Sequence, residues 1–208
     1  MISDTLNCIF VHIPKTGGTS IEDVLWPGER TEAQLWRGMV DRFHNKYQTG
    51  GLQHLLARQI RQEVGEERFR RSYRFSFVRN PWDRAVSQYA YMQQRKDLRG
   101  FVGMKEDDSF ARYLSLIAER PHVQWIPQSE FLLDRDGQCL VEFIGHFERL
   151  ADDAQRIFKT LGVTCGELPH RIRSSHGPYS EYYDAQTRAH VERLYRADIE
   201  QFSYTFGE

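Results

Sequence analysis

The sequence predicts an α/β protein in which a central parallel sheet is flanked by helices. Residues 8–13 form a short apolar run of the kind found in strands that are buried on both faces. A glycine turn and a helical pattern follow this run directly, and a second strand-to-helix pair begins at residue 73. Two strands that each lead into a helix favour a parallel sheet. The length of 208 residues favours a single domain over residues 1–208.

The first helix is predicted to begin at Thr19. Residues 19–22 have the spacing of a capping box, in which a hydroxyl residue is followed three positions later by glutamate. Apolar residues then recur at helical intervals from Ile21 to Leu25, and Pro27 ends the pattern. The first strand, the glycine turn and this helix therefore form one continuous unit.

The second strand is predicted at residues 73–78, where aromatic and polar side chains alternate. Asn80 is a favourable N-cap residue, and Pro81 suits the first position of a helix. The helix that begins there is expected to continue to about Gln94. The sequence thus contains two strand-to-helix junctions.

The remaining elements are predicted from shorter patterns. Residues 28–51 lack periodicity and are expected to form a loop or cleft wall, whereas residues 52–64 have helical spacing. Residues 96–108 are charged and contain two glycines, so we expect a surface excursion there. Two apolar runs around an Asp-Gly turn predict a hairpin within residues 131–144. Further helices are expected at residues 110–118, 150–161 and 185–201.

The composition argues against several classes of protein. A net charge of −1 is unlike that of proteins that bind nucleic acids or other long polyanions through a general basic excess. There is no apolar run near the roughly 18 residues that cross a bilayer, and the N-terminus lacks a signal-peptide pattern. We therefore expect a cytoplasmic protein with at most a peripheral membrane contact. The three cysteines lack CxxC spacing, which indicates neither a disulfide framework nor a zinc site.

Residues 14–20, Pro-Lys-Thr-Gly-Gly-Thr-Ser, have the features of an anion-binding loop. Unpaired backbone N–H groups and the helix dipole attract phosphate at the start of a helix, and Gly17 and Gly18 let the backbone approach it closely. Lys15 would add a positive charge, and hydroxyl donors are available from Thr16, Thr19 and Ser20. A Walker A loop has its lysine after the glycines, so an ordinary ATPase or GTPase is disfavoured.

The second junction carries groups that could bind a second phosphate. Arg79, at the end of the predicted strand, has a planar fork of N–H donors that suits phosphate oxygens. Ser87 lies two helical turns further along and offers a hydroxyl. The alternative is that Arg79 forms a strand-end ion pair and Ser87 lies on the helix surface.

Together the two junctions resemble the paired donor motifs of sulfotransferases that use 3′-phosphoadenosine 5′-phosphosulfate (PAPS). The resemblance is carried by residues 10–20, Phe-Val-His-Ile-Pro-Lys-Thr-Gly-Gly-Thr-Ser, and by residues 77–84, Phe-Val-Arg-Asn-Pro-Trp-Asp-Arg. Leu-Pro-His at 168–170 and Tyr-Arg-Ala-Asp-Ile at 195–199 are similar to the closing segment of the family. The branch that looks nearest includes the heparan sulfate 2-O-sulfotransferases and small bacterial relatives. The resemblance implies a P-loop-like sulfotransferase fold and metal-free chemistry.

The resemblance also implies the functions of individual residues. The segment from Lys15 to Ser20 would hold the 5′-phosphosulfate, and Lys15 would also offset charge on the leaving phosphate. Arg79 and Ser87 would hold the 3′-phosphate. Arg173 and Ser174 are predicted to contact the donor from a third loop. In that loop this chain has Arg-Ile-Arg-Ser-Ser where the family often has an asparagine-serine pair.

Transfer to a hydroxyl requires a base, and His54 is predicted to supply it. His54 is expected to open the helix that precedes the second strand, an interval in which the family places a catalytic histidine. His44 is the alternative base. Without the resemblance, a histidine at this position among leucines would be read as an ordinary helix-face residue.

The acceptor is predicted to be a carbohydrate hydroxyl, because the resembled branch acts on glycans and residues 58–74 are rich in arginine. Small phenols are the alternative acceptors, and the arginine-rich stretch could equally be a solvated face, since glutamates interrupt it. Two other functions remain open: a nucleotide-binding protein that keeps the donor pocket without transfer, and a P-loop-like nucleotide kinase. The sequence predicts no particular oligomeric state.

Overall fold

The computed structural model describes residues 1–27, 54–168 and 177–207. Within these ranges four strands form one sheet, in the order β1 (Ile2–Ser3), β2 (Cys8–Val11), β3 (Tyr73–Val78) and β4 (Phe143–His146). β1 runs antiparallel to β2, whereas β2, β3 and β4 are parallel to one another. The prediction of an α/β fold with a central parallel sheet is confirmed.

Helices surround this sheet. In the described ranges they are α1 (Gly18–Leu25), α2 (Ala57–Val64), α3 (Glu66–Arg71), α4 (Pro81–Gln93), α5 (Lys96–Val102), α6 (Phe110–Glu119), α7 (Ser129–Leu132), α8 (Leu150–Leu161), α9 (Ala185–Leu194) and α10 (Arg196–Phe202). Short 3₁₀ segments occur at Phe147–Arg149 and Tyr179–Tyr182. None of the helices described here combines the length and apolar character needed to cross a membrane.

The sheet separates two apolar cores. Successive side chains of a strand point to opposite faces, so β2 contributes Ile9 and Val11 to one core and Phe10 to the other. Phe10 stacks on Phe75 of the neighbouring strand, with ring centroids 5.1 Å apart, and this second core also contains Phe158 of α8. Burial on both faces explains why β2 is a continuous apolar run rather than an alternating one.

The register of the parallel strands brings the two strand-to-helix junctions to one edge of the sheet. Val11 lies opposite Ser76, and Val78 lies opposite His146, so β2, β3 and β4 end at neighbouring positions. Ligands of open α/β sheets commonly bind at this carboxyl edge. Both predicted donor motifs therefore belong to the same end of the molecule.

Three local predictions near the site were wrong. Helix α1 begins at Gly18 with Gly17 as its N-cap, so Thr19 does not cap it. Helix α2 begins only at Ala57, because Leu56 is extended, and His54 therefore precedes this helix rather than opening it. Residues 96–108 are more than a surface excursion, since α5 lies there and its apolar residues Leu98 and Val102 are buried.

Two later predictions were also wrong in part. The hairpin expected within residues 131–144 is reduced to a single antiparallel bridge between Leu133 and Cys139. Its second run continues into β4, which pairs with β3 in the parallel sheet. The helix expected at residues 185–201 is divided at Tyr195, whose buried side chain donates a hydrogen bond to the Trp125 carbonyl.

Candidate active site

One cleft at the carboxyl edge of the sheet contains both sequence motifs and the predicted base. Lys15, Gly17, Gly18, Thr19 and Ser20 line it from the first junction, and Arg79 and Ser87 line it from the second. His54 lies in the same cleft. Pro14 of the first junction lines it too, and four further lining residues that were not predicted to have a function are His12, Tyr91, Gln124 and Phe147.

The backbone of the first junction is shaped by its two glycines. Gly17 adopts a left-handed conformation, with φ of 81°, that side chains disfavour. A Cβ atom at Gly18 would lie 2.3 Å from the His12 ring, so only glycine fits there without displacing the ring. Because the N-cap Gly17 has no side chain, no N-cap side chain occupies the first N–H groups of α1. This helix terminus is therefore suited to an anionic ligand.

Lys15 places its ammonium group inside the cleft. Its backbone is left-handed, with φ of 68°, and Nζ lies 4.5 Å from the centroid of the Tyr91 ring. Burial, and after it the positive charge of Arg79, lowers the pKa of Lys15 to about 8. An anion that entered the cleft would restore the charged form, because it would offset both effects.

Thr16 differs from its neighbours in the loop. Its side chain is fully buried, and the hydroxyl donates to the Ile13 carbonyl at 2.9 Å. Thr16 is not among the residues that line the cleft. Its hydrogen bond ties the loop to the end of β2, which gives Thr16 a supporting position beneath the loop.

Arg79 is held on several sides. Its Nε and Nη2 atoms both lie 2.8 Å from Asp83 Oδ2, and Nη1 donates to the Lys15 carbonyl at 3.1 Å. The guanidinium carbon lies 4.0 Å from the centroid of the Phe147 ring. Arg79 thus forms the strand-end ion pair that was the alternative interpretation, and it lines the cleft as well.

Ser87 and Gln128 complete the second junction. Ser87 is only 2% exposed, so it does not lie on the helix surface as the alternative interpretation supposed. The fully buried Gln128 side chain bonds both main-chain groups of Arg79, accepting from its N–H and donating to its carbonyl, each at 2.8 Å. The Asp198 carboxylate in turn accepts from the backbone N–H groups of Gln128 and Ser129. These contacts fix the main chain from which Arg79 enters the cleft.

His54 is oriented by the main chain of β2. Its Nδ1 lies 2.8 Å from the His12 carbonyl oxygen, which can only accept a hydrogen bond, so Nδ1 carries the hydrogen. Burial, and after it the charge of His12, lowers the pKa of His54 to about 3. The ring is therefore neutral at pH 7 and has an unprotonated Nε2, the state that a general base requires.

His12 lay within the motif, but its partner was not predicted. Its Nδ1 is 2.7 Å from Glu22 Oε1, and both side chains are buried. The rings of His12 and His54 meet edge to face, with centroids 4.6 Å apart. Tyr91 could have been found from the sequence, because it follows Ser87 by one helical turn on α4. The contacts of Gln124 and Phe147 come from distant segments and leave no such signal.

Part of the predicted site lies outside the described residues. These predictions concern Arg173 and Ser174 in the third loop, and the alternative base His44. They therefore stay predictions. Within the described ranges, no three His, Cys, Asp or Glu side chains are grouped so that they could hold a metal ion.

The arginine-rich stretch at residues 58–74 is largely compensated by acidic side chains. The observed ion pairs are Arg58 with Glu130, Arg61 with Glu66, Arg68 with Asp4, Arg71 with Glu67, and Arg74 with Glu142. Such pairing lowers the net charge that an acidic ligand would meet there. The stretch therefore gives little support to an acidic glycan as acceptor.

Comparison with known proteins agrees with this geometry. The sequence model of the sulfotransferase family matches residues 1–205. An uncharacterized protein of Archaeoglobus fulgidus is 30% identical over 122 residues, which is 56% of this chain and 88% of the relative. No solved structure matches the chain. Since the family match extends over nearly the whole sequence, this chain belongs to the sulfotransferase family.

Proposed function

We propose that this protein transfers a sulfuryl group from PAPS to the hydroxyl of an acceptor. The observation that carries the proposal is that one cleft contains Lys15 and the glycine loop, Arg79 with Ser87, and a neutral histidine, His54. PAPS carries anionic groups at both its 5′ and 3′ positions. Two cationic positions in one cleft suit such a donor, whereas a donor with a single anionic group would need only one of them.

The residues of the first junction would hold the 5′-phosphosulfate. The N-terminus of α1 offers backbone N–H groups, and Gly18 leaves the space that the backbone needs for close approach. The Lys15 ammonium would offset the negative charge that collects on the 5′-phosphate as the sulfur–oxygen bond breaks. The leaving group is then 3′-phosphoadenosine 5′-phosphate, which keeps the electron pair of that bond.

His54 would remove the proton from the acceptor hydroxyl. The acceptor oxygen forms the new bond to sulfur, and its proton passes to Nε2 of His54. The low pKa of His54 in the absence of a donor is compatible with this step, because an anionic donor in the cleft would raise that pKa. Lys15 and His54 thus divide the reaction between the leaving group and the nucleophile.

The acceptor is proposed to be a carbohydrate hydroxyl. This part of the proposal depends on the resemblance to the branch that includes the heparan sulfate 2-O-sulfotransferases, since the arginine-rich stretch is compensated by acidic residues. A panel of oligosaccharides and small phenols at matched concentrations would test it with labelled PAPS. Turnover confined to phenols would contradict a carbohydrate acceptor.

The donor is tested by thermal unfolding with two nucleotides. A ligand that binds only the native state raises the melting temperature according to its affinity. We expect 3′-phosphoadenosine 5′-phosphate to raise it well above the effect of AMP, which lacks the 3′-phosphate. Equal shifts would contradict the function given to Arg79 and Ser87. Donor binding without transfer to any acceptor would favour a nucleotide-binding protein, and magnesium-dependent phosphate transfer from ATP would favour a kinase.

The base is tested by His54→Ala. General bases typically contribute about 10²–10⁴-fold, so we expect turnover to fall at least about 100-fold. Affinity for 3′-phosphoadenosine 5′-phosphate, measured by calorimetry, should change little, because His54 acts on the acceptor side. Nearly normal turnover would contradict the assignment and favour His44 or a cleft carboxylate. Loss of folding would indicate that His54 is a structural residue.

A further inference from the structure

A buried carboxylate–imidazole pair lies directly beside the predicted base. Glu22 of α1 is fully buried, and its Oε1 lies 2.7 Å from Nδ1 of His12, which is 5% exposed. An ionised carboxylate can only accept, so Nδ1 of His12 donates to Glu22. A buried hydrogen-bonded pair of this kind adds little net stability, because the cost of removing its polar groups from water offsets their attraction. The position of this pair in the cleft therefore suggests a purpose beyond stability.

His12 contacts the catalytic groups in two ways. Its main-chain carbonyl accepts from Nδ1 of His54, and its ring packs edge to face against the His54 ring. The same ring also fills the space above Gly18, where a Cβ atom would come within 2.3 Å of Cδ2 and Nε2. A rotation of the His12 ring would therefore disturb both the base and the first residue of α1.

Glu22 fixes the orientation of that ring. Gly18 and Glu22 are four residues apart in α1, so the carboxylate lies one helical turn behind the start of the helix. The hydrogen bond from His12 to Glu22 consequently joins the end of β2 to α1, on either side of the glycine loop. Carboxylates that orient a histidine in this way are common partners of functional imidazoles.

We propose that Glu22 and His12 are positioning residues for sulfuryl transfer, which hold His54 with its proton on Nδ1 and fix the glycine loop beneath the donor. The inference depends on the proposed function. Neither residue is given a proton-transfer step of its own. Their contribution is to hold His54 and the glycine loop in a fixed position relative to each other.

The first test compares Glu22→Gln with Asp153→Asn. The glutamine keeps an oxygen that can accept from His12 but removes the charge. Asp153 is a matched control, because it is also a buried carboxylate, 1% exposed, and it contacts the His146 N–H, Arg149 and Arg156 rather than the His12 ring. For each variant the measurements are kcat, the dissociation constant of 3′-phosphoadenosine 5′-phosphate, and the melting temperature.

We expect kcat of Glu22→Gln to fall about tenfold or more, the size of effect seen when the partner that orients a functional histidine is changed. Donor affinity should stay within about threefold, which separates positioning from binding. The two variants are compared under conditions in which both have lost the same amount of stability. The proposal is overturned if kcat of Glu22→Gln is then less than about threefold below kcat of Asp153→Asn.

If Glu22→Gln does not fold, His12→Asn replaces it, because the asparagine amide can still donate to Glu22. We expect His12→Asn to retain more activity than His12→Leu, and equal activities would overturn the proposal.

The second test needs no acceptor. Imidazole ¹⁵N spectra distinguish the two neutral tautomers of histidine, and His54→Gln identifies the His54 signals. We expect His54 to carry its proton on Nδ1 in the wild type. In His12→Leu the main-chain carbonyl remains but the ring that packs against His54 is lost, so we expect the hydrogen bond to that carbonyl to weaken and a mixture of tautomers to form. A wild-type His54 with its proton on Nε2, or no change in His12→Leu, would overturn the positioning inference. A wild type that shows the expected tautomer but transfers no sulfuryl group would contradict the proposed function instead.

Discussion

The two strand-to-helix junctions of the cleft begin their helices in opposite ways. After β2, helix α1 starts from Gly17, which has no side chain with which to cap it. After β3, helix α4 starts from Asn80, whose Oδ1 accepts from the N–H groups of Trp82 and Asp83 at 3.1 and 3.5 Å. The first junction thus leaves backbone donors for a ligand, whereas the second occupies its donors internally.

The positively charged side chains of the two junctions also differ in how firmly other groups hold them. Lys15 rests its ammonium on the face of Tyr91, and its pKa is lowered to about 8. Arg79 is held by Asp83, by the Lys15 carbonyl and by the Phe147 ring. In the proposed complex, the first junction would bind mainly through its backbone and one adaptable charge. The second presents a side chain that is already in place before any ligand arrives.

Lys15→Ala should produce the largest change, because it affects the junction that is proposed to meet the reacting group. Loss of a group that stabilises charge in the transition state typically lowers kcat about 10²–10³-fold. Loss of its charged hydrogen bond should also weaken 3′-phosphoadenosine 5′-phosphate by about 1.5–3 kcal/mol. Steady-state kinetics and calorimetry measure the two effects separately. Normal kcat with weakened binding would mean that Lys15 holds the donor but does not assist the leaving group.

Arg79→Ala should weaken 3′-phosphoadenosine 5′-phosphate by about 1.5–3 kcal/mol, which is about 10- to 150-fold in affinity. AMP should be affected much less, because it lacks the 3′-phosphate. Ser87→Ala is the matched control in the same junction, and we expect a smaller loss because a neutral donor is removed. Unchanged affinity in Arg79→Ala would move the 3′-phosphate site elsewhere. An equal loss for AMP would indicate that the contact of Arg79 with the Lys15 carbonyl dominates.

The pH dependence of donor binding should distinguish the two cations. The Lys15 pKa is lowered to about 8, so the ammonium is present below that pH and is lost as the pH rises through it. A phosphate monoester has its second pKa near about 6, so the ligand does not change its charge between about pH 7 and 9. Affinity for 3′-phosphoadenosine 5′-phosphate should therefore be nearly constant from about pH 7 to the Lys15 pKa near 8 and fall by up to about tenfold per pH unit above it.

Lys15→Arg provides the control for this titration. Arginine remains charged throughout this range, so the affinity of Lys15→Arg for 3′-phosphoadenosine 5′-phosphate should not fall between about pH 7 and 9. A wild-type affinity that stays constant to about pH 10 would indicate that the Lys15 ammonium is better solvated than the cleft suggests. The same decline in Lys15→Arg would assign the titration to another group.

The sequence predicted the fold, and which residues line the cleft, better than it predicted the local geometry of the backbone. Both junctions could be found because strand, turn and helix signals are local, and the parallel sheet brings their ends together. His54 was placed in a helix because leucines surround it, yet it lies in a turn before the extended Leu56, and the His12 carbonyl orients the ring. The Gln128 contacts with Arg79 could not be predicted, since they join residues 49 positions apart. Such long-range polar contacts leave no periodic pattern in a single sequence.

Asn80→Ala should have the smallest effect on binding, and it tests whether the second junction is closed by its own side chains. Loss of an N-cap typically costs about 1 kcal/mol of the free energy of unfolding. The Asn80 side chain also donates to the Thr205 carbonyl at 3.0 Å, so the loss should not be smaller than that of an ordinary cap. Denaturant unfolding measures this loss of stability, and calorimetry should show that affinity for 3′-phosphoadenosine 5′-phosphate changes little.

Gly17→Ala is the counterpart at the first junction, where a Cβ atom would lie 2.8 Å from Leu150 in a left-handed backbone. That variant should lose donor affinity as well as stability, because the strained residue is the N-cap of the helix that is proposed to receive the anion. If Asn80→Ala instead weakens the donor as much as Gly17→Ala does, both junctions bind through their backbone and the contrast between them is wrong.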